Sequence, residues 1–356
     1  MKDIGSIFPL YGKDLDQTQK TICLPKRYDN QVLYSLCREA LYDIAQCVSN
    51  ETKRVLLPAY TCQTVIDPFQ QLGWEISYYS IERDLRIDIN SLLDLSNKIK
   101  PDIVLAHPYY GMDFDENEQN ALKQIKAKGS IIIIDNTQCI FSDYRLPFVD
   151  YYVGSYRKWF CCPDGAFLED YSKGNLLHAN ETGVNEEFVQ KQTDAMYLRG
   201  EYYLHSDEMI KQISIRLNKD AVRGIASEIT PHEMAPFSKA MLAIEDLEIN
   251  ISQRITNYKK LYKGLKSCSK STLVCEELSR VTTAPLYFPI YVDDRPALQK
   301  KLALQHIYAP VLWPVSTKEI LINSSIDYMF DHLLAIPCDQ RYDEEEMEKI
   351  INVITD

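Results

Sequence analysis

Glycine is scarce in this chain, with 12 residues among 356, about half of the ~7% that soluble proteins carry. The scarcity removes several classes of function at once. There is no G-x-G-x-x-G for a dinucleotide and no G-x-x-x-x-G-K-[ST] loop for a nucleoside triphosphate. Gly154-Ser155 lacks the second glycine of a nucleophile elbow. Positive charge is also short. With 39 Lys and Arg against 51 Asp and Glu, the net charge of −12 argues against a basic surface for nucleic acid. No apolar run approaches the ~18 residues that a bilayer span requires. The first residues, Met1 to Pro9, lack the apolar core of a secretory signal. The 10 cysteines contain no C-x-x-C, and the 6 histidines show no metal-ligand spacing. The expectation is a cytoplasmic protein with reduced thiols that binds no metal, nucleic acid or membrane.

What is present is enough for a large core. The chain is 46% hydrophobic and 25% charged, with room for two domains. Strand-like runs at Arg54–Leu57, Glu75–Ile81, Asp102–His107, Ser130–Asp135, Asp150–Ser155 and Gly165–Leu168 alternate with helix-like segments at Cys62–Gln71, Asn90–Lys100 and Glu116–Lys128. Such spacing predicts an α/β fold, a mostly parallel sheet with flanking helices. Pro163-Asp-Gly165 leaves no room for a crossover helix, so the strand after it is expected to pair antiparallel. Past Leu168 the pattern is helical and charged as far as Arg223. One long helix is predicted over Ser238–Leu265, and from about Leu273 a smaller α+β unit follows, with a strand at Pro285–Val292 and a closing helix at Glu344–Val353. The expected division is a large domain over 1–249 and a small C-terminal domain over 250–356.

The chemistry concentrates in Asp150-Tyr-Tyr-Val-Gly-Ser-Tyr-Arg-Lys-Trp159. Lys158 follows Ser155 by three residues, just past a β-rich run. A lysine leaving a strand beside a small hydroxyl suits a pyridoxal phosphate (PLP) enzyme: the amine forms a Schiff base with the cofactor aldehyde, and the hydroxyl bonds its phosphate. Upstream, Ser130-Ile-Ile-Ile-Ile-Asp135 reads as a strand buried on both faces, with Asp135 at its carboxyl end, where open α/β sheets bind ligands. A carboxylate there can keep the pyridine nitrogen protonated. Alone, Asp135-Asn-Thr would read as capping or turn chemistry; beside Lys158 the cofactor role is preferred. A helix over Cys37–Val48, apolar at helical spacing, could offer the N–H groups near Cys37 and Arg38 to a phosphate.

Together these segments resemble the DegT/StrS family of sugar-nucleotide aminotransferases, which are fold-type I PLP-dependent enzymes. The likeness runs from about Tyr34 to the C-terminus. Leu57-Pro-Ala-Tyr-Thr-Cys62, Ala106-His107-Pro-Tyr-Tyr-Gly111, Ile134-Asp135-Asn-Thr-Gln138 and Ser155-Tyr-Arg-Lys158 follow in the family's order, then Pro163-Asp-Gly165, Tyr287-Phe-Pro and Leu334-Ala-Ile-Pro. The resemblance implies that Lys158 and Asp135 are catalytic, that Gln138 lies near the ring, and that Ser155 with Cys37 and Arg38 takes the phosphate. It implies transfer of an amino group, most plausibly from glutamate, to a nucleotide-linked keto sugar, in sugar-nucleotide and polysaccharide biosynthesis. It also implies a homodimer with sites completed by the neighbouring chain.

The chain departs from the family in three places. Cys37 and Arg38 stand where relatives carry a small, glycine-containing phosphate loop. Cys62 stands where many relatives stack an aromatic on the ring, leaving Tyr60 or His107 to cover that face. Before the long helix, Thr230-Pro-His-Glu-Met-Ala235 shows no partner-subunit N-x-R loop. Arg157 is a candidate for a substrate carboxylate or for the electrostatics of Lys158. Two other readings stay open: a PLP-dependent lyase or dehydratase on another substrate, and a non-catalytic binding protein that keeps the fold.

Overall fold

A computed structural model describes residues 3–15, 24–48, 52–172, 183–225 and 228–356. In chain order the elements are α1 (Gly12–Leu15), β1 (Val32–Tyr34), α2 (Cys37–Cys47), β2 (Arg54–Pro58), α3 (Gln63–Gln71), β3 (Glu75–Tyr79), α4 (Ile89–Ile99), β4 (Ile103–Ala106), α5 (Glu116–Ala127) and β5 (Ile131–Asp135). They continue through β6 (Tyr151–Ser155), β7 (Ala166–Asp170), α6 (Glu186–His205), α7 (Glu208–Gly224), α8 (Pro236–Ala243), α9 (Leu247–Leu265), β8 (Thr272–Leu273), β9 (Phe288–Tyr291), α10 (Arg295–Leu304), α11 (Ser324–His332), β10 (Leu333–Ile336) and α12 (Glu344–Thr355). Seven strands form a mixed sheet in the order β1-β7-β6-β5-β4-β2-β3, and three more form a second sheet, β10-β9-β8. The α/β architecture with a mostly parallel sheet is as the strand–helix alternation predicts. The six strands expected in the first half all form, within a residue or two of their expected ends.

By its contacts the chain divides into two compact units, both discontinuous in sequence. One comprises Ser6–Ser49 and Tyr151–Asp246. The other comprises Asp3–Gly5, Asn50–Asp150 and Leu247–Asp356.

In the second unit β2, β3, β4 and β5 are parallel neighbours. Ile132, Ile133 and Ile134 of β5 are fully buried, as expected for a strand covered on both faces. The connecting helices start on side-chain caps. Asp88 accepts from Ser91 N–H at the head of α4, and Asp115 with Glu118 forms a reciprocal capping box on α5. The same unit holds the small antiparallel sheet. Its core joins Tyr258, Leu261 and Leu265 of α9 to Phe288 and Ile290 of β9, Leu334 and Ile336 of β10, and Met347, Ile350 and Ile354 of α12.

In the first unit β7 pairs antiparallel with β6, as expected from the short Pro-Asp-Gly turn between them, and antiparallel with β1 on its other side. Helices α6 and α7 form an antiparallel hairpin, turned by Ser206 in the left-handed region (φ 54°) and restarted by the Asp207 cap. The predicted helix over Ser238–Leu265 is a correction: it breaks at Ile244 and resumes at Leu247. Apolar periodicity runs through the break, but Asp246 is a strong N-cap residue type placed directly before the second segment. Among the described residues no helix is long and apolar enough to cross a membrane, and every described cysteine is a free thiol.

Candidate active site

The second unit assembles its part of the site by strand register. Parallel β4 and β5 place Ala106 opposite Ile134, so the following residues, His107 and Asp135, leave the carboxyl edge side by side. Parallel β2 lies against β4 on the other flank, with Val55 opposite Ile103, and its continuation brings Tyr60 and Thr61 to the same edge. His107 Nε2 is 2.7 Å from Thr61 Oγ1, and His107 Nδ1 is 3.5 Å from Asp135 Oδ2. The other carboxylate oxygen of Asp135 accepts the Thr137 N–H at 2.9 Å. All four of these residues are buried.

Gln138 follows on the same turn. Its Oε1 accepts the Tyr110 N–H at 2.9 Å, while its Nε2 is buried with no acceptor among the described residues. Tyr110 (φ 48°) and Gly111 (φ 85°) are both left-handed, which bends the chain so that this amide can reach Gln138. Glycine is needed at 111 for a second reason: a Cβ there would stand 2.7 Å from the Thr283 carbonyl oxygen.

An aromatic wall closes over these groups. Tyr60 lies 4.9 Å from Trp313, 5.4 Å from Phe330 and 5.8 Å from Tyr109, ring centre to ring centre. The His107 ring is 5.4 Å from Trp313 and 5.6 Å from Tyr109. Tyr109 O–H donates to the Tyr60 carbonyl at 2.6 Å, and burial pushes the Tyr60 phenol up to about 12. Cys62, half-buried, occupies the N-cap position of α3 and receives the Thr64 hydroxyl at 3.0 Å.

The first unit carries the lysine. β6 ends at Ser155 and a single 3-10 turn, Tyr156–Lys158, follows. The Tyr156 and Arg157 N–H groups both donate to the Gly165 carbonyl, at 2.9 and 3.2 Å, which anchors the turn. Gly165 (φ 133°) packs so closely that a Cβ would come within 2.7 Å of Met234 Cε. Lys158 and Arg157 are half-buried. Among the described residues neither the Lys158 amine nor the Ser155 hydroxyl has a hydrogen-bond or ion-pair partner.

At α2 in the same unit, Leu36 offers no side-chain oxygen to cap the helix that Cys37 begins. Arg38 is buried and donates from one NH1 to the Ile225 carbonyl at 2.6 Å. Glu39, also buried, accepts the His232 N–H at 3.0 Å and lies 3.5 Å from its ring. Burial pushes the Glu39 carboxyl up, and the Glu39 carboxylate beside its ring pushes the His232 imidazole up. Next to them Asp164 accepts the Ala235 N–H at 3.1 Å and is pushed up to about 6 by burial.

The structure thus brings together Tyr60, His107, Asp135 and Gln138 within one unit, and Ser155, Arg157 and Lys158 within the other. Thr61 and Trp313 are additions. Thr61 lies inside the Pro-Ala-Tyr-Thr-Cys segment, but nothing local ties it to a histidine 46 positions on. Trp313 sits in a Pro-flanked loop with no motif to announce it.

No protein-family model matches this chain, and no curated protein does. Solved structures match over its whole length. The sugar aminotransferase CalS13 of Micromonospora echinospora is 14% identical, with 99% of this chain and 98% of that one covered and a TM-score of 0.65. This chain shares its fold with that solved structure. A DegT/DnrJ/EryC1/StrS aminotransferase from Brucella abortus matches at 14% identity over 99% of this chain and 90% of its own, with a TM-score of 0.62. NtdA of Bacillus subtilis, solved with bound cofactor PMP, matches at 16% identity over 97% of this chain and 83% of its own, with a TM-score of 0.65. The aminotransferase fold therefore persists here at an identity where shared sequence is sparse.

Proposed function

We propose that the chain is a PLP-dependent aminotransferase of the DegT/StrS type, moving an amino group from glutamate to a keto sugar carried on a nucleotide. The observation that carries this reading is the Lys158 amine, half-buried on the turn that leaves β6 and unengaged among the described residues. A lysine serving only as a surface charge would not need that placement. Whole-length likeness to aminotransferases, one of them solved with PMP, supports the same reading.

The residues fit the cofactor. Lys158 would hold it covalently. Asp135, with lone pairs remaining beyond the one taken by the Thr137 N–H, would accept the pyridine N–H, and the orphaned Gln138 Nε2 would donate to the hydroxyl oxygen on the ring. The Ser155 hydroxyl and the first turn of α2 at Cys37 and Arg38, where Leu36 supplies no side-chain cap, would receive the phosphate. Cys62 would border the ring where relatives place an aromatic. When bound, PLP supplies an electron sink that stabilises the charge left by a departing α-proton and stores the amino group between the two substrates. The freed Lys158 amine would carry the proton from the donor's α-carbon. Arg157 would take a donor carboxylate, for which a planar guanidinium is suited, and Tyr60 would border the substrate. The enzyme would work as a cytoplasmic homodimer in sugar-nucleotide and polysaccharide biosynthesis.

Because the nitrogen is stored between substrates, the donor alone tests the reading. Purified protein should be yellow, and borohydride should fix the cofactor on the peptide containing Lys158. Glutamate should then bleach the colour and release about one 2-oxoglutarate per site, and Lys158→Ala should do neither. Labelling of another lysine would sink the site, and an unreactive cofactor with every amino acid would leave a lyase or a non-catalytic binder. The binder reading has one observation of its own, since the Arg38 guanidinium is already donating to the Ile225 carbonyl.

A further inference from the structure

We propose that His107 is a positioning residue for Asp135: backed by Thr61 and wedged by Trp313, it fixes which lone pairs of that carboxylate remain open to a protonated ring nitrogen. The proposal rests on the PLP reading above and gives His107 a task other than covering the ring.

The torsion that turns a carboxylate about its Cβ–Cγ bond is soft. With the Thr137 N–H as its sole donor, Asp135 could swing while keeping that bond. His107 supplies a second point on the other oxygen, Oδ2. The 3.5 Å separation is long for a hydrogen bond, and catalytic contacts of this kind tighten when ligand binds.

Thr61 decides what His107 presents. A hydroxyl both donates and accepts. When it donates to a bare Nε2, the neutral imidazole carries its proton on Nδ1, the atom facing Asp135. When Nε2 is protonated as well, Thr61 accepts and Nδ1 is still a donor. The remaining tautomer sets the Nδ1 lone pair against a buried carboxylate, which is costly where the dielectric is low. So Nδ1–H faces Asp135 in either protonation state. Trp313 and Tyr109, 5.4 and 5.6 Å from the ring centre to centre, pack beside it and disfavour its turning away.

The test compares the parent with His107→Phe, which keeps the bulk and loses the donor, and His107→Asn, whose amide N–H stands near the Nδ1 position. Each protein is loaded with PLP labelled with 15N in the ring, and the nitrogen chemical shift is read alongside the glutamate half-reaction. The parent should show a protonated ring nitrogen. In His107→Phe the signal should move toward that of free pyridine and the half-reaction should slow by about 10- to 100-fold, as for outer partners that orient metal-binding side chains. His107→Asn should restore both. Thr61→Val, which removes the hydroxyl and touches nothing on Asp135, should shift the signal the same way by less, and it keeps the test alive if the phenylalanine variant does not fold. An unmoved nitrogen signal in the variants, with PLP still on Lys158, would leave His107 a packing residue and overturn the proposal. A parent that never binds PLP through Lys158 fails the functional reading instead, before any variant is made.

Discussion

Around Asp135 most polar atoms are engaged, with Gln138 Nε2 and the Tyr110 hydroxyl left without a hydrogen-bond partner among the described residues. On the turn after β6, by contrast, the Ser155 hydroxyl and the Lys158 amine have no partner among the described residues. Each arrangement suits a different task. A carboxylate that must hold one geometry is served by donors already in place, which cost no reorganisation when charge develops nearby. An amine that must form and break a bond is served by having no ion pair to give up. The first region uses its hydrogen bonds for orientation, and the second uses its backbone to anchor a turn whose Lys158 amine stays available.

The sharpest way to break this contrast is Asp135→Ala. It should cut the glutamate half-reaction by about 10²- to 10³-fold, the loss typical of removing a preorganised electrostatic partner, while PLP stays bound through Lys158 and its phosphate. Rate and cofactor occupancy measured together check both halves, and full activity would make Asp135 a turn cap. Next comes Trp313→Ala, which removes the wedge beside His107. Trp313 is 4% exposed, so denaturant unfolding should show a loss of about 3 kcal/mol or more, with a slower half-reaction. Stability lost with an unchanged rate would separate the wall from the function of the network it covers.

The smallest effect has the opposite sign. Asp164, in the unit that carries Lys158, is an acid raised from 3.8 to about 6 by burial. The folded state therefore holds the proton more tightly than the unfolded chain does. Stability is fully present below 3.8, falls as pH rises toward 6, and is level above that. Asp164→Asn keeps an acceptor for the Ala235 N–H and should remove this slope, gaining up to about 3 kcal/mol near neutrality at roughly 1.4 kcal/mol per pKa unit. Unfolding midpoints at pH 4 and pH 7 check it. A variant as pH-sensitive as the parent would show that the buried carboxyl is not the source.

Much of this was readable from residue order. Isoleucine runs, turn residues and caps such as Asp88 and Asp115 act locally, so the parallel strands and their helices lie close to where periodicity puts them. Short strands escape such reading: β1 has three residues and β10 four, too few for a period to show. The break before α9 escapes it too, because Ile244 and Leu247 continue one apolar stripe. Asp135 and Lys158 could be singled out because one ends a strand and the other lies on the turn just past one. His107 could be singled out only as a cover for the ring; its pairing with Asp135 could not, since Thr61, His107 and Trp313 meet only after strands and a distant loop have packed, and no spacing along the chain encodes that.

Register on β4 and β5 carries one more consequence. Side chains on a strand alternate faces, so a slip of one residue between these two strands would bring Ile134 to the place of Asp135 beside His107. The pairing of imidazole with carboxylate is therefore a readout of sheet alignment. It requires no loop to order itself, and it should come into being at the same moment as the sheet. Followed during refolding, the His107 ring proton signals would report alignment of the central strands before any cofactor is added, and an off-register sheet would be visible as a histidine without its acid.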